Sequence, residues 1–295
     1  MLLKNSALAA LVNIVELHQL ILNELSLADL RAYGLSCKTI MKDVDEYIER
    51  AYNIERLLMN FLPQEHIGDF RMVQGAIGMI IGGSSALQFF SRRYYDDSDL
   101  DLYVCAFFGS CAARMLERMG CRPVVPGGVV NMPRTHGQTS NSPHFSRRYR
   151  SSGIAKVVNW VSPTGRAIQQ IMTSVPVVDV ILGYHSTAVM NFISASRAYS
   201  LYGRETLTKG LSLYTRRDRA KLRAARAKYE CRGWQSVFLR ANDVFPAETR
   251  GVGDKKTWQV ALRPMLAGGG HDERMRQTAW ALKYTADGKP YICLR

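Results

Sequence analysis

Apolar residues recur at helical spacing through residues 5–62 and change period beyond residue 67. Leu8, Leu11, Ile14, Val15, Leu17 and Leu20 fall near a repeat of about 3.6 residues, which predicts an amphipathic helix. Ser26 stands just before Leu27, Leu30 and the next apolar stripe, where its hydroxyl can accept a backbone N–H of a first helical turn. A long helix is predicted over 39–62, closed by Pro63.

Past residue 67, short apolar runs alternate with turn residues. The pattern predicts strands over 77–81 and 100–107, helices over 84–90 and 110–119, and a short strand at 122–125. Residues 154–161 and 166–173 alternate in polarity around Ser162-Pro163-Thr164-Gly165, which predicts an antiparallel hairpin beside the strand at 100–107. Pro176 introduces 177–182. Ser186 is expected to cap a helix to about residue 202, with Val189, Phe192, Ile193 and Tyr199 on its apolar face. Residues 126–153 lack periodicity and are rich in Gly, Pro, Ser, Asn and Arg. They predict a long mobile or functional loop, whose Arg147, Arg148, Tyr149 and Arg150 could close over an acidic ligand. Residues 215–233 predict a basic helix ended by Gly233, and Gly268-Gly269-Gly270 predicts a flexible joint. The predicted fold class is α+β, with an N-terminal helical segment over 1–66. A mixed sheet of about five strands flanked by helices follows over 67–205, then a basic helical C-terminal tail over 206–295.

Composition narrows the classes. With 47% hydrophobic residues in a chain of 295, a core is expected rather than disorder. No run of 18 apolar residues occurs, which argues against a membrane span, and Glu16 and His18 interrupt the apolar N-terminus, which reads as an amphipathic helix rather than a leader. Cys37, Cys105, Cys111, Cys121, Cys231 and Cys293 are scattered without a C-x-x-C pair. A reducing intracellular setting, cytoplasmic or nuclear, is the expectation. His185 is the histidine in an apolar context, where a hydrogen-bonded core or cap role is expected. The net charge of +14 is uneven: −2 over 1–60, +5 over 61–200 and +11 over 201–295. The basic excess points to a nucleic acid or another acidic partner for the C-terminal part. Few aromatics interleave with that basic run, so base-specific recognition is not supported.

Candidate chemistry is concentrated between residues 82 and 104. Gly82-Gly83-Ser84-Ser85-Ala86-Leu87 follows an apolar run and opens a helix, and such a junction presents free backbone N–H groups to an anion. Asp99 and Asp101, two apart in an extended segment, project to one face while Leu100, Leu102 and Val104 are buried. Two carboxylates on one face opposite a phosphate-binding turn are the minimum apparatus for Mg²⁺-assisted phosphoryl or nucleotidyl transfer. Arg92 and Arg93 are placed to neutralise phosphate charge.

The same residues resemble the signature of the nucleotidyltransferase superfamily, closest to its minimal and abortive-infection types, over 77–104 and more loosely over 70–205. The resemblance implies Asp99 and Asp101 as catalytic and metal-binding residues, with Mg²⁺ as cofactor. It implies that Gly82, Gly83, Ser84, Ser85, Arg92 and Arg93 hold a nucleoside triphosphate. Working members carry a third carboxylate on a neighbouring strand, which here is 166–173 and offers Gln169 or Gln170 instead; Asp179 is expected outside that strand. The chain as a whole is similar to fungal proteins that join such a module to an F-box-like N-terminus. The likeness lies in residues 25–38, where Asn23-Glu24-Leu25 replaces the usual Leu-Pro opening. Two readings stand. One is a nucleotide-binding protein with Mg²⁺ that transfers a nucleotidyl group. The other is a non-catalytic adaptor or scaffold that binds a protein partner through its N-terminal helices and carries a degenerate nucleotidyltransferase domain.

Overall fold

The computed structural model describes residues 12, 14–124, 153–214, 220–238, 249–263, 269–285 and 290–295. The expected loop at 126–153 lies outside them except for Gly153. The chain divides into two compact units, Met1–Tyr52 and Asn53–Arg295.

The first unit contains helices α1 (Val15–Glu24), α2 (Leu27–Gly34) and α3 (Lys38–Ala51). Ser26 caps α2 as its position predicts: its hydroxyl accepts the Asp29 N–H at 3.2 Å and donates to the Asp29 carboxylate at 2.6 Å. Leu22, Leu27, Leu30, Ile40, Val44 and Tyr47 are buried. His18 is buried too, between the Tyr33 hydroxyl at 3.2 Å and the Asp43 carboxylate at 3.6 Å. The spacing of the apolar residues does not single it out.

The second unit begins with α4 (Ile54–Leu58) and α5 (Gln64–Ile77). The single helix expected over 39–62 is therefore broken at Tyr52. Asn53 restarts the chain by accepting the Glu55 and Arg56 N–H groups at 2.8 and 3.3 Å. Gly78 ends α5 in the left-handed conformation, φ 63°. The expected strand consequently shrinks to β1 (Ile80–Gly82). Next come α6 (Gly83–Ser91), β2 (Leu100–Cys105), α7 (Gly109–Arg118) and β3 (Arg122–Pro123). The predicted hairpin is β4 (Ile154–Val161) with β5 (Ala167–Thr173), antiparallel, with a register irregularity between Ile154 and Lys156. Helix α8 is Val177–Leu182.

The helix expected from Ser186 to about residue 202 is replaced by a 3-10 turn and two antiparallel strands, β6 (Asn191–Ile193) and β7 (Arg197–Ser200). Their side chains are buried on both faces, so the alternation that would mark strands is missing from the sequence. The buried Arg71 guanidinium secures the turn between them by donating to the Ser194 and Ala195 carbonyls at 3.2 and 2.6 Å.

The remaining described residues are more strand than the expected helical tail. They comprise β8 (Leu211–Tyr214), α9 (Ala220–Cys231), β9 (Gln235–Phe238), β10 (Thr249–Gly251), β11 (Trp258–Ala261), α10 (Gly269–Arg276), β12 (Ala279–Tyr284) and β13 (Pro290–Leu294). Helix α10 starts at Gly269, inside the glycine run expected to be a joint. Asp272 on α10 accepts from the Ser194 hydroxyl at 2.8 Å and from Ser196, which ties the helix to the β6–β7 turn.

Among the described residues the architecture is α+β with a mixed sheet ordered β11-β7-β6-β1-β2-β5-β4-β3, eight strands rather than about five. Within it β2 and β5 run parallel, while β1 and β2 run antiparallel. Strand β1 is apolar on both sides through Ile80 and Ile81, and Leu100, Leu102 and Val104 give β2 one fully buried apolar face. Among the described residues no helix is long and apolar enough to cross a membrane.

Candidate functional site

The candidate residues meet where β1 passes into α6. Gly82 pairs with Asp101 across the antiparallel β1–β2 ladder. At Gly83 the backbone takes φ 61°, and a Cβ built there would collide with the Asp101 carboxylate. Glycine is thus required twice, for the left-handed backbone and for the approach of a carboxylate to the start of a helix. Ser84 and Ser85 follow in the first turn, both buried. The Ser85 hydroxyl donates to the Asp99 carbonyl at 2.7 Å, so its proton serves to fasten α6 to the segment entering β2.

Asp99 immediately precedes β2 and Asp101 lies within it. Leu100 and Leu102 occupy the opposite, fully buried face. Burial raises the Asp99 proton affinity, the Asp97 charge adds to the rise, and Lys228 opposes it. Burial followed by repulsion from Asp99 pushes Asp101 up to about 7, against the opposing pull of Lys228. Beside Asp101 lie buried phenols. Tyr103 and Tyr184 share a hydrogen bond, and burial together with the Asp101 charge holds the hydroxyls of Tyr103, Tyr184 and Tyr229 in their protonated form.

The parallel neighbour β5 supplies the position that faces the pair. Gln169 lies opposite Asp101 in the ladder, and its amide donates to Asp99 Oδ2 at 3.3 Å. Gln170 turns to the other side, accepting from the Trp160 indole at 3.2 Å and donating to the Gly109 carbonyl at 2.6 Å. Gln169 rather than Gln170 is therefore the β5 residue that meets the aspartates. Asp179 sits on α8, and burial alone raises its proton affinity. Among the described residues no group of three or more His, Cys, Asp or Glu is placed to hold a metal ion.

Two arginines hold the segment leading into Asp99. Arg166 donates to the carbonyls of Tyr95, Asp96 and Ser98 at 3.2, 3.1 and 3.0 Å, and its guanidinium lies 4.6 Å from the centre of the Phe61 ring. Arg232 on the segment after α9 bonds Asp97 and the Ser98 hydroxyl, the latter at 3.3 Å, and stacks 4.1 Å over Tyr95. Burial would raise Asp97, yet the Arg232 hydrogen bond and the Lys228 charge bring it below the usual carboxylate range.

Arg92 and Arg93 follow the C-terminal end of α6, away from Gly83 at its start. Arg92 is the C-cap of α6 with φ 54°, and the nine-residue helix puts it roughly 13 Å along the axis from Gly83. The cations that act on Asp99 are instead Lys228 and Arg166. Lys228 is visible in the sequence only as one member of a basic run, and Arg166 only as the start of a strand. Nothing local says which face of either element meets the carboxylates.

Asp99 and Asp101 are the residues of this site whose chemistry could hold a metal ion. Both carboxylates carry raised proton affinities, with burial the largest cause in each and a neighbouring carboxylate adding to the rise. Mg²⁺ is commonly held by one or two carboxylates plus substrate phosphates rather than by an all-protein cage. No family model matches the chain, and neither a curated protein nor a solved structure matches it significantly.

Proposed function

We propose that the region 67–205 is a nucleotidyltransferase-like module that binds a nucleoside triphosphate together with Mg²⁺. The observation that carries this reading is the approach of the Asp101 carboxylate to the left-handed Gly83 at the start of α6, with Asp99 on the same face. On this reading the carboxylate oxygens would hold the ion beside the first-turn N–H groups of α6, and a triphosphate chelating a divalent ion needs both. Gly82, Gly83 and the Ser84 N–H would hold phosphate, and Asp99 and Asp101 would hold the ion. When bound, Mg²⁺ neutralises charge on the phosphates and on the leaving pyrophosphate.

Gln169 limits the chemistry. An amide positions a ligand but does not take a proton from an attacking hydroxyl at neutral pH. Binding is therefore the primary activity proposed, with nucleotidyl transfer slow and dependent on an acceptor that brings its own base. The second reading, a scaffold with a degenerate module joined to an F-box-like segment, is favoured by that same glutamine.

Titration calorimetry with ATP, GTP, CTP and UTP, each with and without Mg²⁺, separates the two. Mg²⁺-dependent heat that disappears in the Asp99→Ala/Asp101→Ala variant supports nucleotide binding. No heat with any nucleotide, from folded protein, leaves the scaffold reading.

A further inference from the structure

Helix α9 carries Arg223, Arg226 and Lys228, and Arg232 follows its last residue. Its single aromatic, Tyr229, is buried, so the run itself offers charge without a ring to stack on. The tertiary structure brings the rings from elsewhere. Phe238 at the end of β9 is 38% exposed, and the Arg226 guanidinium lies 5.6 Å from its ring centre. Tyr94, in the segment after α6, is 56% exposed; Arg166 donates to its hydroxyl and lies 5.3 Å from its ring centre.

Contacts join the two rings into one strip. Arg93, exposed and next to Tyr94, brings its Nη1 to 3.8 Å from where a Cβ would stand on Gly233. Gly233 adjoins Arg232, and Arg226 with its Phe238 lies roughly 9 Å back along the axis of α9. The acids of the strip are Asp96, Asp97 and Glu230. Arg232 and Lys228 both pair with Asp97, and Arg226 pairs with Glu230 at 3.5 Å. Arg93, Arg166, Arg223, Arg226, Lys228 and Arg232 thus set six cations against three acids, with Arg93 and Arg223 exposed.

An acidic protein surface would be met by the cations alone. Two exposed rings, each beside a guanidinium, add stacking platforms, and a flexible single strand uses both: its phosphates on the cations and its unpaired bases on the rings. A duplex keeps its bases stacked on one another and gains nothing from the rings. We propose that the strip from Tyr94 and Arg93 across the end of α9 to Phe238 and Arg223 binds a single-stranded polynucleotide. The surface uses neither Asp99 nor Asp101, so it stands apart from the nucleotide reading given above.

The test is fluorescence anisotropy of the full chain with labelled strands of about 20 nucleotides: oligo-dT, oligo-rU and an abasic deoxyribose-phosphate strand. Polyglutamate serves as the competing polyanion. Wild type should bind a base-bearing strand about tenfold or more tighter than the abasic one. Tyr94→Ala/Phe238→Ala should lose that preference, whereas Tyr94→Phe/Phe238→Tyr, which keeps both rings, should bind as wild type. Arg93→Gln/Arg223→Gln/Arg226→Gln should keep the preference but flatten the log–log salt dependence by about two. Thermal melts identify folded samples, and Tyr94→Leu/Phe238→Leu gives a second variant without rings. Tighter binding of oligo-rU or of oligo-dT supports the proposal and names the polymer. Absence of binding overturns it, as does equal binding of the abasic strand. Displacement by polyglutamate as readily as by oligo-dT overturns it in favour of an acidic protein partner. Affinity and salt dependence unchanged in the variants without rings and in the triple variant overturn it as well.

Discussion

The Gln169 amide donates to Asp99 Oδ2 at 3.3 Å from the strand position that lies opposite Asp101. A side chain at 169 thus meets the acidic pair, and its charge adds to or relieves the repulsion between the two carboxylates. With glutamine, Asp99 has one amide donor and the charges of Lys228 and Arg166, and Asp101 has the charge of Lys228.

Gln169→Glu would complete a carboxylate triad. Three like charges without a metal repel, so the variant should lose roughly 1–3 kcal/mol of stability in EDTA. Mn²⁺ should restore that loss and stabilise the variant more than it does wild type. Urea unfolding with and without Mn²⁺ reads both effects. An identical Mn²⁺ response in the two proteins would mean that residue 169 does not reach the ion.

Gly83→Ala places a methyl group against the Asp101 carboxylate in a backbone conformation costly for alanine. The expected loss is about 2–4 kcal/mol. Gly165 is the control: its φ is 80° but a Cβ there meets open space. Gly165→Ala should cost only about 1 kcal/mol, from the conformation alone. If urea midpoints show the two variants equal, close approach at Gly83 contributes nothing to stability.

Asp101 gives a pH dependence of known sign. Burial and Asp99 raise it from 3.8 to about 7, so the folded chain holds a proton that the unfolded chain has released between those values. Its contribution to stability is present below 3.8 and is lost as pH rises to about 7. Asp101→Asn should therefore be more stable than metal-free wild type at pH 8 by roughly 2 kcal/mol, with the difference closing toward pH 4. Thermal melts across that range in EDTA decide it, and a constant difference at all pH values would contradict the assignment.

Asp254 has the opposite sign. Burial would raise it, but the hydrogen bond from Arg250 at 2.6 Å, the Gly251 and Thr257 N–H groups and the Arg250 charge lower it from 3.8 to about 2. Its contribution is complete above 3.8 and is lost as pH falls to about 2. The Arg250 guanidinium also lies 5.4 Å from the ring centres of Tyr202 and Trp280, so breaking the pair strands a charge among aromatics. Asp254→Asn should cost about 2–3 kcal/mol at pH 7 and show a shallower loss on acidification. Urea unfolding at pH 7 and pH 3 gives both numbers.

Features controlled by neighbours in sequence were legible. The Ser26 cap needs only Asp29 three residues on, and the β4–β5 hairpin needs only alternation around Ser162-Pro163-Thr164-Gly165. Asn53 ahead of Glu55 carries an equally local cap signal within the helix expected over 39–62, so that break was readable too. The segment from Ser186 was not, because Asn191, Phe192 and Ile193 are buried on both faces and such a run fits either period.

The sequence by itself determined the glycine at 83, the pair Asp99 and Asp101 on one face, and the glutamines of the strand beside them. Each follows from backbone freedom or from the two-residue repeat of an extended chain. Only the tertiary structure decided that Gln169 rather than Gln170 faces the pair, and that Lys228, Arg166 and Arg232 act on the acidic segment. Strand register and the rotation of α9 are set by long-range burial. A charge that acts through space has no fixed spacing along the chain.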